Sequence, residues 1–141
     1  MTNTSFLQQE LQRRPWWMNI LFVWCVILAI GVPVELISRP IAEDIEVWLG
    51  FELTGWLAKG GGLLHVLIFT TGTWGFWKMR AWMWPWASVY VAQVAISHLV
   101  WSDLSPNGRG WPTGLVQAVG ITIIAVLLLR ARPLFQNNEV S

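Results

Sequence analysis

Charged side chains are scarce in this sequence. Asp, Glu, Lys and Arg together make up 12% of its 141 residues, whereas hydrophobic residues make up 55%. Soluble domains average roughly 25% charged residues, so this chain has too few of them to cover a water-soluble globule of its size. The composition therefore indicates that lipid surrounds most of the protein. The net charge of +1 gives no basis for binding nucleic acid.

The usual sequence signatures of catalysis are also missing. The only cysteine, Cys25, lies inside an apolar run, so an intramolecular disulfide and a CxxC redox motif are both excluded. The sequence has no nucleophile elbow, no phosphate-binding glycine-rich loop and no DNA-reading element. The sequence therefore leaves both the cofactor and any enzymatic reaction unassigned.

What the sequence does contain is four long apolar runs and twelve tryptophans. The runs cover about 17–38, 61–77, 81–101 and 113–129. Each approaches the ~20 residues that a helix needs to cross the hydrocarbon core, and in lipid the backbone must satisfy its hydrogen bonds within the segment. We therefore predict an all-α fold, a single transmembrane domain over 1–141 built as an up-down-up-down four-helix bundle. Tryptophan prefers the membrane interface and fits this prediction.

The connection between the first two runs carries its own apolar pattern, at spacings of three and four residues. This spacing predicts a short interfacial helix at about 41–58, lying apolar side down on the membrane surface. The triplet Gly60-Gly61-Gly62 is then expected to let the chain turn into the second run. The apolar positions are Ile45, Trp48, Leu49, Leu53, Trp56 and Leu57.

The basic residues are distributed unevenly between the two ends of the predicted helices. Six of the nine lie at the end that holds both termini, and three lie at the other. The positive-inside rule then places both termini in the cytoplasm, and the overall pattern is typical of a bacterial inner-membrane protein. The six are Arg13, Arg14, Lys78, Arg80, Arg130 and Arg132, and the three are Arg39, Lys59 and Arg109.

Four polar side chains inside the apolar runs are the main candidates for function, because polar groups are costly in a membrane. Glu35, His65, His98 and Gln117 each fall about one helical turn inside the outer end of their run. At 1.5 Å rise per residue, all four lie roughly 4–7 Å below the outer boundary. Up-down-up-down connectivity is therefore expected to bring them into one layer.

A second group of candidates lies along the third run. Tyr90, Gln93 and Trp101 share a helical stripe with His98 at its flank, and such a mixture of polar and aromatic residues is typical of surfaces between helices. Three interpretations of the layer stay open: a pocket for a lipophilic molecule, a haem or metal site with His65 and His98 as ligands, or side chains that only hydrogen-bond one another or extend to water.

Two stretches resemble the EXPERA group of four-helix membrane proteins, which includes sterol Δ8-Δ7 isomerase and the sigma-2 receptor. One is Val32-Pro33-Val34-Glu35-Leu36, and the other runs from Arg80 through Pro85 to Tyr90. The resemblance covers about a quarter of the chain and implies a lipid-accessible pocket near one face, with Glu35 as its acid. The second run departs from that group because it has no carboxylate, and His65 is its only ionisable residue before Lys78.

Our leading hypothesis is a small multi-pass membrane protein with a polar pocket near the outer face that binds a lipophilic small molecule. The alternatives are a non-catalytic accessory subunit of a larger membrane complex and a b-type haem or metal-binding membrane protein. The expected partners are membrane lipid and a hydrophobic small molecule, with a homo-oligomer or a larger complex left open.

Overall fold

Four long helices dominate the fold, and the all-α prediction is confirmed. The computed structural model describes residues 6–136. Its elements, in chain order, are α1 (Phe6–Gln12), α2 (Trp16–Ser38), a 3-10 turn (Ile41–Glu43), β1 (Ile45–Trp48), β2 (Phe51–Thr54), α3 (Gly55–Lys78), α4 (Met83–Leu104), α5 (Trp111–Arg130) and α6 (Arg132–Gln136).

Two of the four long helices described are long and apolar enough to cross a membrane. These are α2 and α5, which are 23 and 20 residues long. The helices α3 and α4 match them in length, with 24 and 22 residues, but α3 carries six glycines and three threonines, and α4 carries three serines. Length and composition thus make two helices candidates for membrane spans by themselves.

The helices pack as two pairs, α2 with α3 and α4 with α5. The second pair is close because small residues line it: a Cβ added at Gly114 would lie 2.7 Å from the Ser102 Cβ. Ser88 Oγ donates a hydrogen bond to the Ala125 carbonyl at 2.7 Å, also between α4 and α5. Small side chains let two helix backbones approach, which is the usual way helices associate in lipid.

The buried core lies at one end of the four helices, which we call the core end. Met18, Phe76, Met79, Met83, Leu128, Ala131 and Phe135 form it. Arg14 is buried beside this core, where its guanidinium donates hydrogen bonds to the carbonyls of Phe76 (2.6 Å) and Trp77 (3.1 Å). These carbonyls belong to the last turn of α3 and have no partner within the helix, so Arg14 caps α3.

The predicted interfacial helix at about 41–58 is wrong, because residues 45–54 form an antiparallel β-hairpin. Its two turn residues, Leu49 and Gly50, have φ of 52° and 88°, and positive φ at both positions is what two-residue turns of the I′ type require. Apolar residues at 45, 48, 49 and 53 fit a helical period, whereas the β-branched and aromatic residues of β1 favour a strand. We call the helix ends beside this hairpin the hairpin end.

The glycine triplet does not form the predicted turn, since α3 begins at Gly55 and Gly60, Gly61 and Gly62 lie inside it. A Cβ added at Gly61 would lie 2.6 Å from the Trp48 indole nitrogen. A Cβ added at Gly62 would lie 2.8 Å from a Leu36 methyl group. Two of the three glycines therefore allow close packing of α3 against the hairpin and α2.

Candidate functional site

His65 is the centre of the candidate site. Its Nδ1 lies 2.8 Å from Glu46 Oε1 on β1. Its ring stacks on Trp48, with ring centroids 4.2 Å apart and planes 14° apart, and on Phe69 at 5.5 Å. Because the carboxylate can only accept, Nδ1 carries the hydrogen, and Nε2 is the acceptor when the imidazole is neutral. The hairpin and α3 thus hold the imidazole in one orientation and one tautomer.

A cavity of about 240 Å³ lies between α2, α3 and the start of the hairpin. Its lining combines apolar side chains of α2 and α3 with carboxylate, guanidinium and imidazole groups. Pockets that bind small molecules commonly combine apolar walls with a few fixed polar groups. The lining residues are Leu28, Val32, Glu35, Leu36, Arg39, Asp44, Ile45, Glu46, Gly62, His65 and Phe69.

Glu35 lines this cavity at its exposed edge. Its carboxylate pairs with Arg39 one helical turn further along, and both side chains are about half exposed, at 57% and 47%. Exposed pairs of this kind contribute little to stability. The pair is therefore free to open, and either group can meet a ligand at the edge of the cavity.

Lys59 and Asp44 form a third charged pair at the base of the hairpin. Lys59 Nζ lies 3.0 Å from Asp44 Oδ2, and the Asp44 side chain is only 8% exposed. The same ammonium group donates hydrogen bonds to the carbonyls of Leu36 and, at 2.8 Å, Arg39. Lys59 therefore caps the end of α2 and ties α2, α3 and the hairpin together.

The far face of the hairpin is fastened to α4. Glu52 Oε1 accepts hydrogen bonds from Ser105 Oγ at 2.6 Å and from Trp101 Nε1 at 2.9 Å. These bonds, with that of the Ser105 hydroxyl the largest, hold the pKa of the Glu52 carboxyl below its ordinary value. Trp101, a predicted site residue, thus positions the hairpin and does not line the cavity.

The predicted layer of four polar side chains is divided in the structure. Glu35 and His65 line one cavity, whereas His98 and Gln117 lie outside its lining. The His98 Nδ1 bonds to the carbonyl of Val94 on its own helix at 3.0 Å, and Gln117 is exposed on α5. His98 and Gln117 are therefore not part of the candidate site.

The remaining two predicted residues on α4 also differ in position. Tyr90 makes edge-to-face contacts with His65 and Phe69, at centroid distances of 6.5 and 6.0 Å. Gln93 instead donates to Ser97 Oγ on its own helix at 2.8 Å. Tyr90 therefore supports the imidazole from α4, and Gln93 does not reach it.

No metal centre is apparent in the part of the chain that the structure describes. Within residues 6–136, no three His, Cys, Asp or Glu side chains are grouped to hold an ion. His65 bonds to Glu46, and His98 bonds to its own helix. Neither histidine therefore belongs to a cluster of three or more such side chains within these residues.

Sequence reasoning missed Glu46 and Trp48, the two residues that contact the His65 ring from the hairpin. They lie two positions apart, so on a strand both face the same side, whereas on a helix they would point about 200° apart. The β-branched and aromatic residues of Ile45-Glu46-Val47-Trp48 were the available signal for a strand. In comparisons with known proteins, no family model, no curated protein and no solved structure matches the chain.

Proposed function

We propose that this protein is a multi-pass membrane protein whose cavity at the hairpin end binds the polar head of a small, neutral, lipophilic molecule. The observation that carries the proposal is the cavity itself, whose lining combines the His65–Glu46 pair with apolar side chains of α2 and α3. Such a site suits a molecule that enters from lipid and has one polar end.

Membrane embedding is supported by the apolar surface of the helices. On α2 and α5, Ile37, Val34 and Val116 are 85%, 62% and 75% exposed, and many other large apolar side chains are exposed with them. Soluble monomers rarely expose contiguous apolar patches larger than a few hundred Å². At 1.5 Å per residue, all four long helices measure roughly 30–36 Å, which matches the ~30 Å hydrocarbon core. We therefore extend the proposal to four spans in an up-down-up-down bundle.

The direction of insertion in this proposal follows the basic residues. Six of nine belong to the core end, which would then face the cytoplasm together with both termini. The hairpin and its carboxylates would face the outside, and a bacterial inner membrane is the setting we propose.

The chemistry of the ligand head follows from the charges around the cavity. Every carboxylate there already has a partner: Glu35 is paired with the cation of Arg39, Asp44 is paired with that of Lys59, and Glu46 is hydrogen-bonded to the imidazole of His65. A charged head would have to break one of these pairs, whereas a hydroxyl or carbonyl group can exchange hydrogen bonds with them. A neutral head such as that of a quinone, a sterol or an isoprenoid alcohol is therefore favoured.

The size of the cavity favours the same class of ligand. Its 240 Å³ is below the roughly 300–1,000 Å³ of pockets that enclose a whole drug-sized ligand. We infer that the head occupies the cavity while an apolar tail lies along α2 and α3 in the membrane.

Thermal unfolding of the detergent-solubilised protein with libraries of quinones, sterols, isoprenoid alcohols and phospholipids tests this proposal. A ligand at a hundred times its Kd stabilises a binding-competent protein by ~2.7 kcal/mol. We expect such a ligand to raise the Tm of wild type and of His98→Ala, and we expect it not to raise the Tm of His65→Ala. His98→Ala is the matched control because it removes an imidazole that lies outside the cavity.

Two outcomes would contradict the proposal. One is that no compound stabilises wild type more than His65→Ala. The other is that the protein purifies in mild detergent only as part of a larger assembly that covers the cavity, which would favour an accessory subunit instead.

A further inference from the structure

A second concave surface lies between α2 and α3, nearer the core end than the His65 cavity. It is a groove of about 470 Å³ lined almost entirely by apolar atoms. Small side chains form its floor and two indoles form its wall, while the last residue of α3 lies at its end. The lining residues are Ala29, Thr70, Thr73, Trp74, Trp77 and Lys78.

Two basic side chains lie at the end of the groove. Lys78 lines it, and the guanidinium of Arg80 lies 5.1 Å from the ring centroid of Trp74 in the groove wall. The sequence has no Asp or Glu between Glu52 and Asp103, so no nearby carboxylate on α3, α4 or their turn neutralises these cations. The groove is thus apolar along its length and cationic at one end.

The hydroxyl group of Thr73, a residue that lines the same groove, is buried. Thr73 precedes Lys78 by five residues, which is ~7.5 Å along a helix. Within residues 6–136, the buried Thr73 Oγ1 has no hydrogen-bond partner. The headgroup region of a bilayer leaflet is about 5–8 Å thick, so a lipid whose phosphate meets Lys78 has its ester carbonyl near the depth of Thr73.

We propose that this groove binds one acyl chain of an anionic phospholipid, with the phosphate held by Lys78 and Arg80 and an ester carbonyl accepting from Thr73. The occupant is a lipid because the surface combines an apolar channel, a hydroxyl donor and two basic residues in the order of acyl chain, ester and phosphate. The proposal rests on membrane embedding but not on the His65 cavity, which is a separate surface.

Native mass spectrometry of the whole protein, exchanged from mild detergent into defined lipid, tests the site. Equal amounts of phosphatidylglycerol and phosphatidylcholine with identical acyl chains are offered. Wild type is expected to retain phosphatidylglycerol preferentially. Each surface cation near the membrane contributes about fivefold to binding anionic lipid, so Lys78→Gln should lose about fivefold and Lys78→Gln/Arg80→Gln about 25-fold. The matched control is Arg130→Gln, an exposed cation in the last turn of α5 that does not line the groove.

A second variant tests the groove independently of charge. Ala29→Leu fills its floor and should reduce retention of phospholipid, whereas Val119→Leu on the exposed face of α5 should not. Unchanged melting temperatures in lipid-free detergent show that each variant is folded. Equal retention of the two lipids by wild type, a loss of the same size in Arg130→Gln, or no effect of Ala29→Leu would overturn the proposal. So would an adduct whose mass is that of a free fatty acid or a polypeptide.

Discussion

The three consecutive glycines of α3 allow a sharp test of how the hairpin packs. Each is replaced by alanine in turn, at positions that share the same helix but differ in surroundings. A Cβ at Gly60 meets nothing within 4 Å, whereas one at Gly61 would lie 2.6 Å from Trp48 Nε1. One at Gly62 would lie 2.8 Å from the Leu36 Cδ1, the end of a flexible side chain. The three sites thus range from open space to contact with a stacked indole.

The expected free energies of unfolding follow from these distances. Alanine is favoured over glycine in a helix by ~0.8–1 kcal/mol, so Gly60→Ala should stabilise the protein by about that amount. Gly61→Ala gains the same helix preference but overpacks against Trp48, which typically costs ~1–3 kcal/mol. The net effect should be a loss of ~0–2 kcal/mol, because the Trp48 indole is stacked on His65 and cannot move freely. Gly62→Ala should fall between the other two.

Reversible unfolding in mixed micelles, followed by far-ultraviolet circular dichroism, measures this series. Gly60→Ala serves as the control for helix preference, so the difference between Gly60→Ala and Gly61→Ala isolates the contact with Trp48. If Gly61→Ala stabilised the protein as much as Gly60→Ala, the packing of the hairpin on α3 would be refuted. Equal destabilisation by all three would instead restore the predicted glycine turn.

Two further predictions concern the contacts that hold the helix ends. Arg14→Ala leaves two carbonyls of the last turn of α3 without their buried partner, and hydrogen bonds to charged groups contribute ~1.5–3 kcal/mol each, so we expect a loss of at least ~2 kcal/mol in the same unfolding assay. Glu52 has a lowered pKa, so its contribution to stability is present above the ordinary carboxyl pKa and is lost as pH falls through the lowered pKa of the folded state. Unfolding measured between pH 6 and pH 3 should therefore show a larger loss of stability in wild type than in Glu52→Gln.

The hairpin shows where reading the sequence by periodicity reaches its limit. Ile45, Trp48 and Leu49 satisfy a helical spacing, yet the same stretch is rich in the β-branched and aromatic residues that favour a strand. The choice depended on contacts beyond the segment: Glu46 and Trp48 reach His65 on α3, and Glu52 reaches Trp101 on α4. Such contacts override local preference, because the strand scale reflects packing more than backbone preference.

The candidate site was predictable only in part. Glu35 and His65 were identified because ionisable groups stand out inside apolar runs, and both line the cavity. His98 was predicted to lie beside them because it is at the same depth in its apolar run. Depth along a helix does not determine the direction of a side chain, however. His98 instead bonds to its own helix, as a polar side chain can do wherever a carbonyl four residues earlier is within reach.

Composition and the lengths of the apolar runs were sufficient to predict four long helices, since a chain with so few charges and such uninterrupted apolar stretches must satisfy its backbone hydrogen bonds within each segment. The partners of individual side chains were decided only by the tertiary structure. The His65–Glu46 pair, the Lys59 cap on α2 and the apolar groove between α2 and α3 each join residues from different elements. No local pattern encodes them, because they depend on how the helices and the hairpin are oriented relative to one another.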